Sequence, residues 1–138
     1  MIDIVTVVFE EELSVLRLQA QSIELYCQDI GVKNIYVIVN DSDSVAGQID
    51  PTWWGSMSGL VRIVPRSQFG CNFVDNGWVS QQALKLIASG LVDNPWYMVL
   101  DAKTIFVRPL LLTDLFTNNQ IQVGQLSIYP VFERSRQI

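Results

Sequence analysis

Residues 96–109 read WYMVLDAKTIFVRP, and this stretch gives the strongest indication of the fold. The apolar run 97–100 is typical of a short buried strand, and it ends abruptly at Asp101. A second apolar run at 105–107 predicts another strand. Burying a carboxylate is costly, and ligands of open α/β sheets bind beyond the carboxyl ends of the strands. An acid at this point therefore marks a candidate site at the edge of a sheet.

The rest of the chain alternates between strand and helix patterns. Residues 2–9 (IDIVTVVF) form a nearly continuous apolar run, as in a strand covered on both faces. An apolar stripe at three- and four-residue steps predicts a helix from Glu10 to a terminating Gly31. With a strand at 35–39, this predicts a right-handed parallel βαβ unit. Later patterns predict a strand at 60–64, a helix at 78–89 with Val79, Ala83, Leu86 and Ile87 facing inward, a short helix at 110–116 and a strand at 121–127. We therefore expect a single α/β domain over residues 1–138, with a mostly parallel sheet flanked by helices.

The composition excludes several classes of function. Of 138 residues, 49% are hydrophobic and 17% charged, and the net charge of −5 argues against binding to nucleic acid or to an anionic membrane. No apolar run reaches the roughly 20 residues of a transmembrane helix, and no signal peptide is evident, so we expect a cytoplasmic protein. The chain has no histidine, which removes Ser-His-Asp and Cys-His catalysis. For Cys27 and Cys71 we expect structural or incidental roles.

Two polar segments follow predicted strands. Asp101, Lys103 and Thr104 suit a phosphate or metal site, but aspartate is also a favoured turn residue. The flanking buried strands make the two interpretations about equally strong. Asn40, Asp41 and Asp43 follow the second strand and could bind a base or ribose, but the pattern alone favours an Asx-rich turn.

The helix that begins near residue 77 carries a polar face. Gln81 and Lys85 are four residues apart, so they share a face that suits a sugar hydroxyl or a diphosphate. An ordinary solvated face is the more common outcome for this pattern. Arg66 could supply a fixed charge to a phosphate or make a routine surface ion pair. Trp78 could stack on a sugar or base, or pack in the core.

Three blocks of sequence together resemble a family of uncharacterised glycosyltransferase-like proteins of bacteria and phages that have the GT-A (nucleotide-diphospho-sugar transferase) fold. The blocks are residues 4–10, the Gly-Trp, Gln-Gln, Lys-Leu helix at 77–86, and residues 99–109. The last is similar to the family's Leu-Asp-x-Asp-Thr-x-Phe-x-Arg-Pro block. In GT-A enzymes this Asp-x-Asp motif holds Mn²⁺ or Mg²⁺ on the diphosphate of the sugar nucleotide. The resemblance covers about residues 2–112.

The resemblance implies a glycosyltransferase, or a reduced descendant of one, that binds a nucleotide-diphosphate sugar at the carboxyl ends of the sheet. The implied nucleotide-binding residues are Thr6, Phe9, Asn40, Asp41, Asp101 and Lys103, and the implied sugar or phosphate contacts are Arg66, Trp78, Gln81 and Lys85. No catalytic residue is assigned. If the protein is phage-encoded, its location is the host cytoplasm.

The chain departs from the family pattern at the metal motif, where Lys103 stands in place of the second aspartate. An ammonium group repels a divalent cation and attracts a diphosphate, so we expect metal binding through Asp101 to be weak or absent. Only about 26 residues follow Leu112, which predicts a truncated or minimal version of the fold. The apolar segment 121–132 is a candidate surface for pairing with a second copy.

Two alternatives stay open. The first is a catalytically inactive GT-A-like binding or assembly module, for example of phage origin. The second is a flavodoxin-like regulatory domain, for which Glu10, Glu11 and Glu12 supply acids but the accompanying lysine and threonine do not stand out.

Overall fold

A four-stranded parallel sheet forms the centre of the computed structural model, which describes residues 1–70 and 77–122. The strands are β1 (Ile2–Val8), β2 (Val32–Val39), β3 (Val61–Pro65) and β4 (Tyr97–Asp101), in the order β3-β2-β1-β4. All three pairings are parallel. Every residue of the central strand β1 is buried, which explains its continuous apolar run. The predicted α/β fold with a mostly parallel sheet is confirmed.

Helices cover both faces of this sheet. Helix α1 (Leu13–Tyr26) packs on one face and helix α2 (Gly77–Ile87) on the other. The core on the α1 side includes Ile4, Val8, Leu16, Ala20 and Ile23. The core on the α2 side includes Val5, Val7, Ile38, Leu84 and Ala88. The alternation of β1 side chains between the two cores makes β1 the strand on which both layers are assembled.

Short elements connect and extend these layers. Single turns of 3₁₀ helix lie at Glu10–Glu12, Gln28–Ile30, Arg66–Phe69 and Ala88–Gly90, with longer 3₁₀ segments at Asp43–Gln48 and Pro51–Leu60. A short helix α3 (Leu112–Leu115) precedes the antiparallel pair β5 (Phe116–Thr117) and β6 (Gln120–Ile121). Gly31 ends the first helical region with a φ of 69°, a left-handed conformation that glycine adopts without strain.

The predicted strand at residues 105–107 is wrong, because these residues form no strand. The backbone groups of Thr104 and Phe106 bond to side chains of helix α1 instead of to a neighbouring strand. The backbone N–H of Phe106 donates to Ser22 Oγ at 3.1 Å, and the carbonyl of Thr104 accepts from Gln19 Nε2 at 3.0 Å. Of the strand predicted at 121–127, the structure shows β6 at its start, and residues 123–127 lie outside the described part of the chain.

The predicted inward face of α2 is also wrong for Val79, Leu86 and Ile87, which are exposed, whereas Ala83 is half-buried. Val79 and Leu86 are 43% and 76% exposed, whereas the residues that face the sheet are Ser80, Leu84 and Ala88. The helix is turned so that Ser80 Oγ accepts a hydrogen bond from Asn40 Nδ2 at 2.9 Å. Two of the three inward residues are small, which lets the helix lie close to β1.

Cys27 ends helix α1 and is fully buried, and burial raises the pKa of its thiol to about 11. This environment suits the expected structural role, because the thiolate needed for reactivity is disfavoured. Cys71 lies outside the described residues. Within residues 1–70 and 77–122, no helix combines the length and apolar character needed to cross a membrane.

Candidate functional site

The strand register brings the polar strand ends to one edge of the sheet. Val8 of β1 lies opposite Val39 of β2, and Val7 lies opposite Asp101 of β4. The backbone N–H of Asn40 donates to the carbonyl of Val8 at 2.8 Å, which continues the ladder past the end of β2. The residues predicted from the ends of β2 and β4 therefore share the carboxyl edge.

A cleft of about 350 Å³ opens at this edge. Its lining residues are Glu12, Trp78, Gln81, Gln82, Asp101, Lys103 and Thr104. Helix α2 supplies one wall, because residues three and four apart lie on one helix face. The turn at residues 101–104 supplies the other wall, and Glu12 comes from the 3₁₀ turn that precedes α1. The structure thus brings together six of the residues named from the sequence, because Trp78, Gln81, Asp101, Lys103 and Thr104 line the cleft and Lys85 reaches it through Asp101.

Two ion pairs organise the charges of the cleft. Lys85 Nζ pairs with Asp101 Oδ1, and Lys103 Nζ lies 3.5 Å from Glu12 Oε1. The Lys85 side chain is 17% exposed and that of Lys103 is 74% exposed. Lys103 is therefore the solvent-accessible ammonium group of the cleft, whereas Lys85 is largely buried and paired with Asp101.

The turn that carries Asp101 and Lys103 is anchored from inside the protein. Gln19 Nε2 donates to the carbonyls of Asp101 and Thr104 at 2.6 and 3.0 Å, and its Oε1 accepts from the hydroxyl of Thr6 at 2.8 Å. Gln19 is fully buried and Thr6 is 1% exposed. Thr6 therefore reaches the site through Gln19, and its own side chain offers no surface to a ligand.

Gln19 and Glu12 were not identified as site residues from the sequence. The available signal for Gln19 is a long polar side chain on the apolar stripe of α1, where burial requires hydrogen-bond partners. Glu12 lies three residues after Phe9, and its Oε2 accepts from the backbone N–H of Phe9 at 3.2 Å. This fixes Glu12 close to Lys103. The half-buried ring of Phe9 lies beside the start of α2, where a Cβ on Gly77 would meet it at 3.4 Å.

The remaining predicted residues lie at the end of β2. Asn40 is 3% exposed, and its side chain donates to Ser80 Oγ at 2.9 Å and accepts from Arg66 Nη1 at 3.4 Å. Asp41 Oδ2 accepts from the backbone N–H of Glu10 at 3.2 Å. These contacts tie β2 to the first turn of α2 and to the end of β1. Asn40 thus adjoins the helix turn that carries Trp78, but neither it nor Asp41 lines the cleft itself.

The donor set of the cleft does not fit a bound Mn²⁺ or Mg²⁺ ion. Such ions prefer several oxygen ligands, with carboxylates contributing most of the charge. Among residues 1–70 and 77–122, no group of three or more His, Cys, Asp or Glu side chains is placed to hold a metal. The Asp101 carboxylate is paired with Lys85, and the Lys103 ammonium lines the same space. Both carboxylates that line the cleft, Asp101 and Glu12, are paired with a lysine, so neither is left to neutralise a divalent cation.

A larger cavity, of about 500 Å³, lies away from this edge near the amino end of β1. It is lined by Met1, Ile2, Trp96, Leu112, Thr113, Phe116, Asn118 and Asn119. This lining contains no Asp, Glu, Lys or Arg side chain, and its polar side chains are those of Thr113, Asn118 and Asn119.

The chain belongs to a protein family of unknown function, DUF6492, which it matches over residues 5–135. No curated protein matches the sequence. Two solved structures of the galactosyltransferase LgtC resemble the fold, each at 19% sequence identity and over 85% of this chain. The TM-scores are 0.57 for LgtC in complex with donor and acceptor sugar analogues and 0.54 for an active-site mutant of the enzyme. The chain spans 43% and 42% of their lengths, so the likeness shows a GT-A type of fold shared with less than half of that enzyme.

Proposed function

We propose that this chain binds a nucleotide-diphosphate sugar at the carboxyl edge of its sheet, as a glycosyltransferase or a reduced descendant of one. The observation that carries the proposal is the exposed ammonium of Lys103 in a cleft at that edge. An ammonium group on a flexible stem is a good phosphate ligand. The GT-A type of fold supports the same placement, because open α/β sheets bind ligands beyond the carboxyl ends of their strands.

In this proposal, Lys103 neutralises the diphosphate in the role that a metal ion fills elsewhere. Lys85 contributes indirectly, because its ion pair with Asp101 keeps that carboxylate from repelling the phosphates. The Asp101 side chain is still 60% exposed, so its second oxygen can accept a hydrogen bond from a ribose hydroxyl. Asp101 then orients the ligand, and its pairing with Lys85 fixes its position.

The nucleoside lies toward the end of β2 in this arrangement. Phe9 provides a half-buried aromatic ring beside Gly77 at the start of α2, and Asp41 provides a half-buried carboxylate bonded to the Glu10 backbone. Asn40 and Arg66 hold that turn against the sheet and act as supporting residues. Thr6 supports the opposite wall through Gln19.

We expect the isolated chain to bind a donor but to transfer the sugar slowly or not at all. Sugar transfer with inversion needs a general base within hydrogen-bond reach of the acceptor hydroxyl. The two carboxylates that line the cleft, Glu12 and Asp101, are both paired with lysines. A donor-consumption assay against several acceptors tests this, and rapid transfer by the monomer would contradict it.

The proposal is tested by thermal unfolding with UDP, GDP and ADP in the presence of EDTA. A nucleotide at a concentration 100 times its Kd stabilises a protein by about 2.7 kcal/mol, which corresponds to a rise in Tm on the order of 10 °C. We expect at least one nucleotide to act in this way without metal. Lys103→Gln should weaken binding about tenfold, a difference of about 1.4 kcal/mol. The matched control is Lys33→Gln, which removes one exposed lysine at the start of β2.

A second candidate function is an inactive binding or assembly module. It is favoured by the apolar flank of α2, where Val79 and Leu86 are 43% and 76% exposed. The same experiment separates the two functions. If none of the three nucleotides changes the Tm and sedimentation shows self-association that Leu86→Glu abolishes, the assembly function holds and nucleotide binding is refuted.

A further inference from the structure

The indole of Trp78 is unusually open for a tryptophan. It is 70% exposed, whereas Trp54 is completely buried. Tryptophan is highly buried on average, because its large apolar surface is costly to leave in water. Trp78 is also one of the residues that line the cleft at the carboxyl edge.

The position of Trp78 on α2 separates it from the other exposed apolar residues of that helix. Residues 78, 81, 82 and 85 are spaced at three- and four-residue steps and share one flank. Val79 and Leu86 are seven residues apart and fall on a neighbouring flank. The side chains next to Trp78 on its own flank are the amides Gln81 and Gln82, which also line the cleft. The surface around Trp78 therefore differs from an apolar docking surface, because the amides beside the ring can form hydrogen bonds.

We propose that Trp78 is the platform on which the sugar of the donor stacks, an inference that rests on the proposed nucleotide-sugar function. A pyranose ring has an apolar face of C–H groups that matches the negative face of an indole. Its hydroxyls meet the amides of Gln81 and Gln82, which can both donate and accept hydrogen bonds. The diphosphate extends from the sugar toward Lys103 on the opposite wall.

The charges of the cleft assign the sugar to the neutral class. The exposed cation Lys103 is engaged by the diphosphate in this arrangement, so it is not free for a second anion. Glu12 lines the same cleft and loses its partner when the diphosphate engages Lys103, so its carboxylate would repel an acidic sugar. We therefore expect a neutral hexose to be preferred over a uronic acid.

The test compares each nucleotide with its sugar conjugate. The affinity ratio Kd(nucleotide)/Kd(nucleotide sugar) isolates the sugar contribution, and it is measured by calorimetry for UDP with UDP-galactose and UDP-glucose, and for GDP with GDP-mannose. Trp78→Ala should lower this ratio roughly threefold to tenfold, the size of an aromatic contact, without changing the affinity for the plain nucleotide. Trp78→Phe should retain most of the ratio. The matched control is Leu86→Ala, an equally exposed apolar residue on the other flank of α2.

A second measurement uses the indole as its own reporter. The tryptophan emission should shift when a nucleotide sugar binds, more than with the plain nucleotide, and Trp78→Phe should abolish this difference. Circular dichroism and Tm confirm that the variants fold. If nucleotides bind but Trp78→Ala leaves the affinity ratio unchanged, or lowers both affinities equally, the sugar platform is refuted while the proposed function stands. If UDP-glucuronate binds as tightly as UDP-glucose, the assignment to neutral sugars is refuted. If no nucleotide or conjugate binds, both proposals fail.

Discussion

Replacing Gln19 tests how strongly the buried side chain supports the cleft. Gln19→Met keeps the length of the side chain but removes its hydrogen bonds to Thr6, Asp101 and Thr104. The carbonyl of Asp101 keeps a partner, because it also accepts from the backbone N–H of Thr104 at 2.8 Å. The hydroxyl of Thr6 and the carbonyl of Thr104 lose the contacts that satisfy them. An unsatisfied buried group costs about 1–3 kcal/mol, so we expect the free energy of unfolding to fall by roughly 3 kcal/mol.

The assay is urea denaturation followed by circular dichroism, with a double-mutant cycle as its control. Thr6→Val removes only the bond to Gln19 and should cost about 1–2 kcal/mol. In the double variant the orphaned hydroxyl is also gone, so the combined loss should be smaller than the sum by about 0.5–1.5 kcal/mol. Nucleotide affinity should fall in Gln19→Met even far below its Tm, because the turn at 101–104 loses its internal anchor. A loss of under about 1 kcal/mol in Gln19→Met, or strict additivity in the cycle, would refute the reasoning.

Three further predictions follow from other contacts. Lys103→Asp should create measurable Mn²⁺ binding in calorimetry, because it replaces an ammonium group with a third carboxylate beside Asp101 and Glu12. An unchanged titration would show that the cleft geometry excludes the ion. The pKa of the Cys27 thiol is raised to about 11 by burial, from an ordinary 9.0, so the unfolded chain ionises first as the pH rises. The free energy of unfolding should therefore fall by roughly 2–3 kcal/mol between about pH 9 and pH 11. Urea titrations of Cys27→Ala should lack this part of the loss. Asp3→Ala should lower the free energy of unfolding by roughly 2–4 kcal/mol in the same assay. The reason is that the buried Asp3 Oδ1 accepts hydrogen bonds from the Asn34 backbone and from the side chains of Asn34 and Asn94. A loss as small as that of a surface substitution would contradict this prediction.

The central sheet could be predicted because its signal is local. The continuous apolar run of β1 requires cover on both faces, and the structure supplies it with α1 and α2. The orientation of α2 could not be predicted in the same way. Val79 and Leu86 are apolar, but the face that packs on the sheet carries Ser80, whose hydroxyl is bonded to the Asn40 amide. The pattern of the helix cannot show this contact, because its partner comes from the end of β2.

The segment at 105–107 shows the same limit for strands. Its composition is that of a strand, yet Ser22 bonds the backbone of Phe106 from the side of α1. Side-chain partners supplied by a distant helix leave no trace in the local pattern.

The geometry of the candidate cleft could be predicted where residues follow strands, but not where contacts join distant parts of the fold. Asp101 and Lys103 were identified from their position after β4, and both line the cleft. The pairing of Lys85 with Asp101 joins residues 16 positions apart, and that of Lys103 with Glu12 joins residues from opposite ends of the described chain. Such pairs form only in the folded chain, so the charged residues can be identified from the sequence, but which of them pair cannot.

The contact between Lys103 and Glu12 has a consequence for how the site responds to ionic strength. A lone exposed lysine holds phosphate less tightly as salt is added, because mobile ions screen the attraction. Here the same ions also weaken the attraction of Glu12 for Lys103, which an arriving phosphate must displace. The two effects oppose each other, so phosphate affinity should vary less between dilute and concentrated salt than it would for an isolated lysine. Glu12 thus acts as a built-in counterion of Lys103 that reduces the salt dependence of phosphate binding.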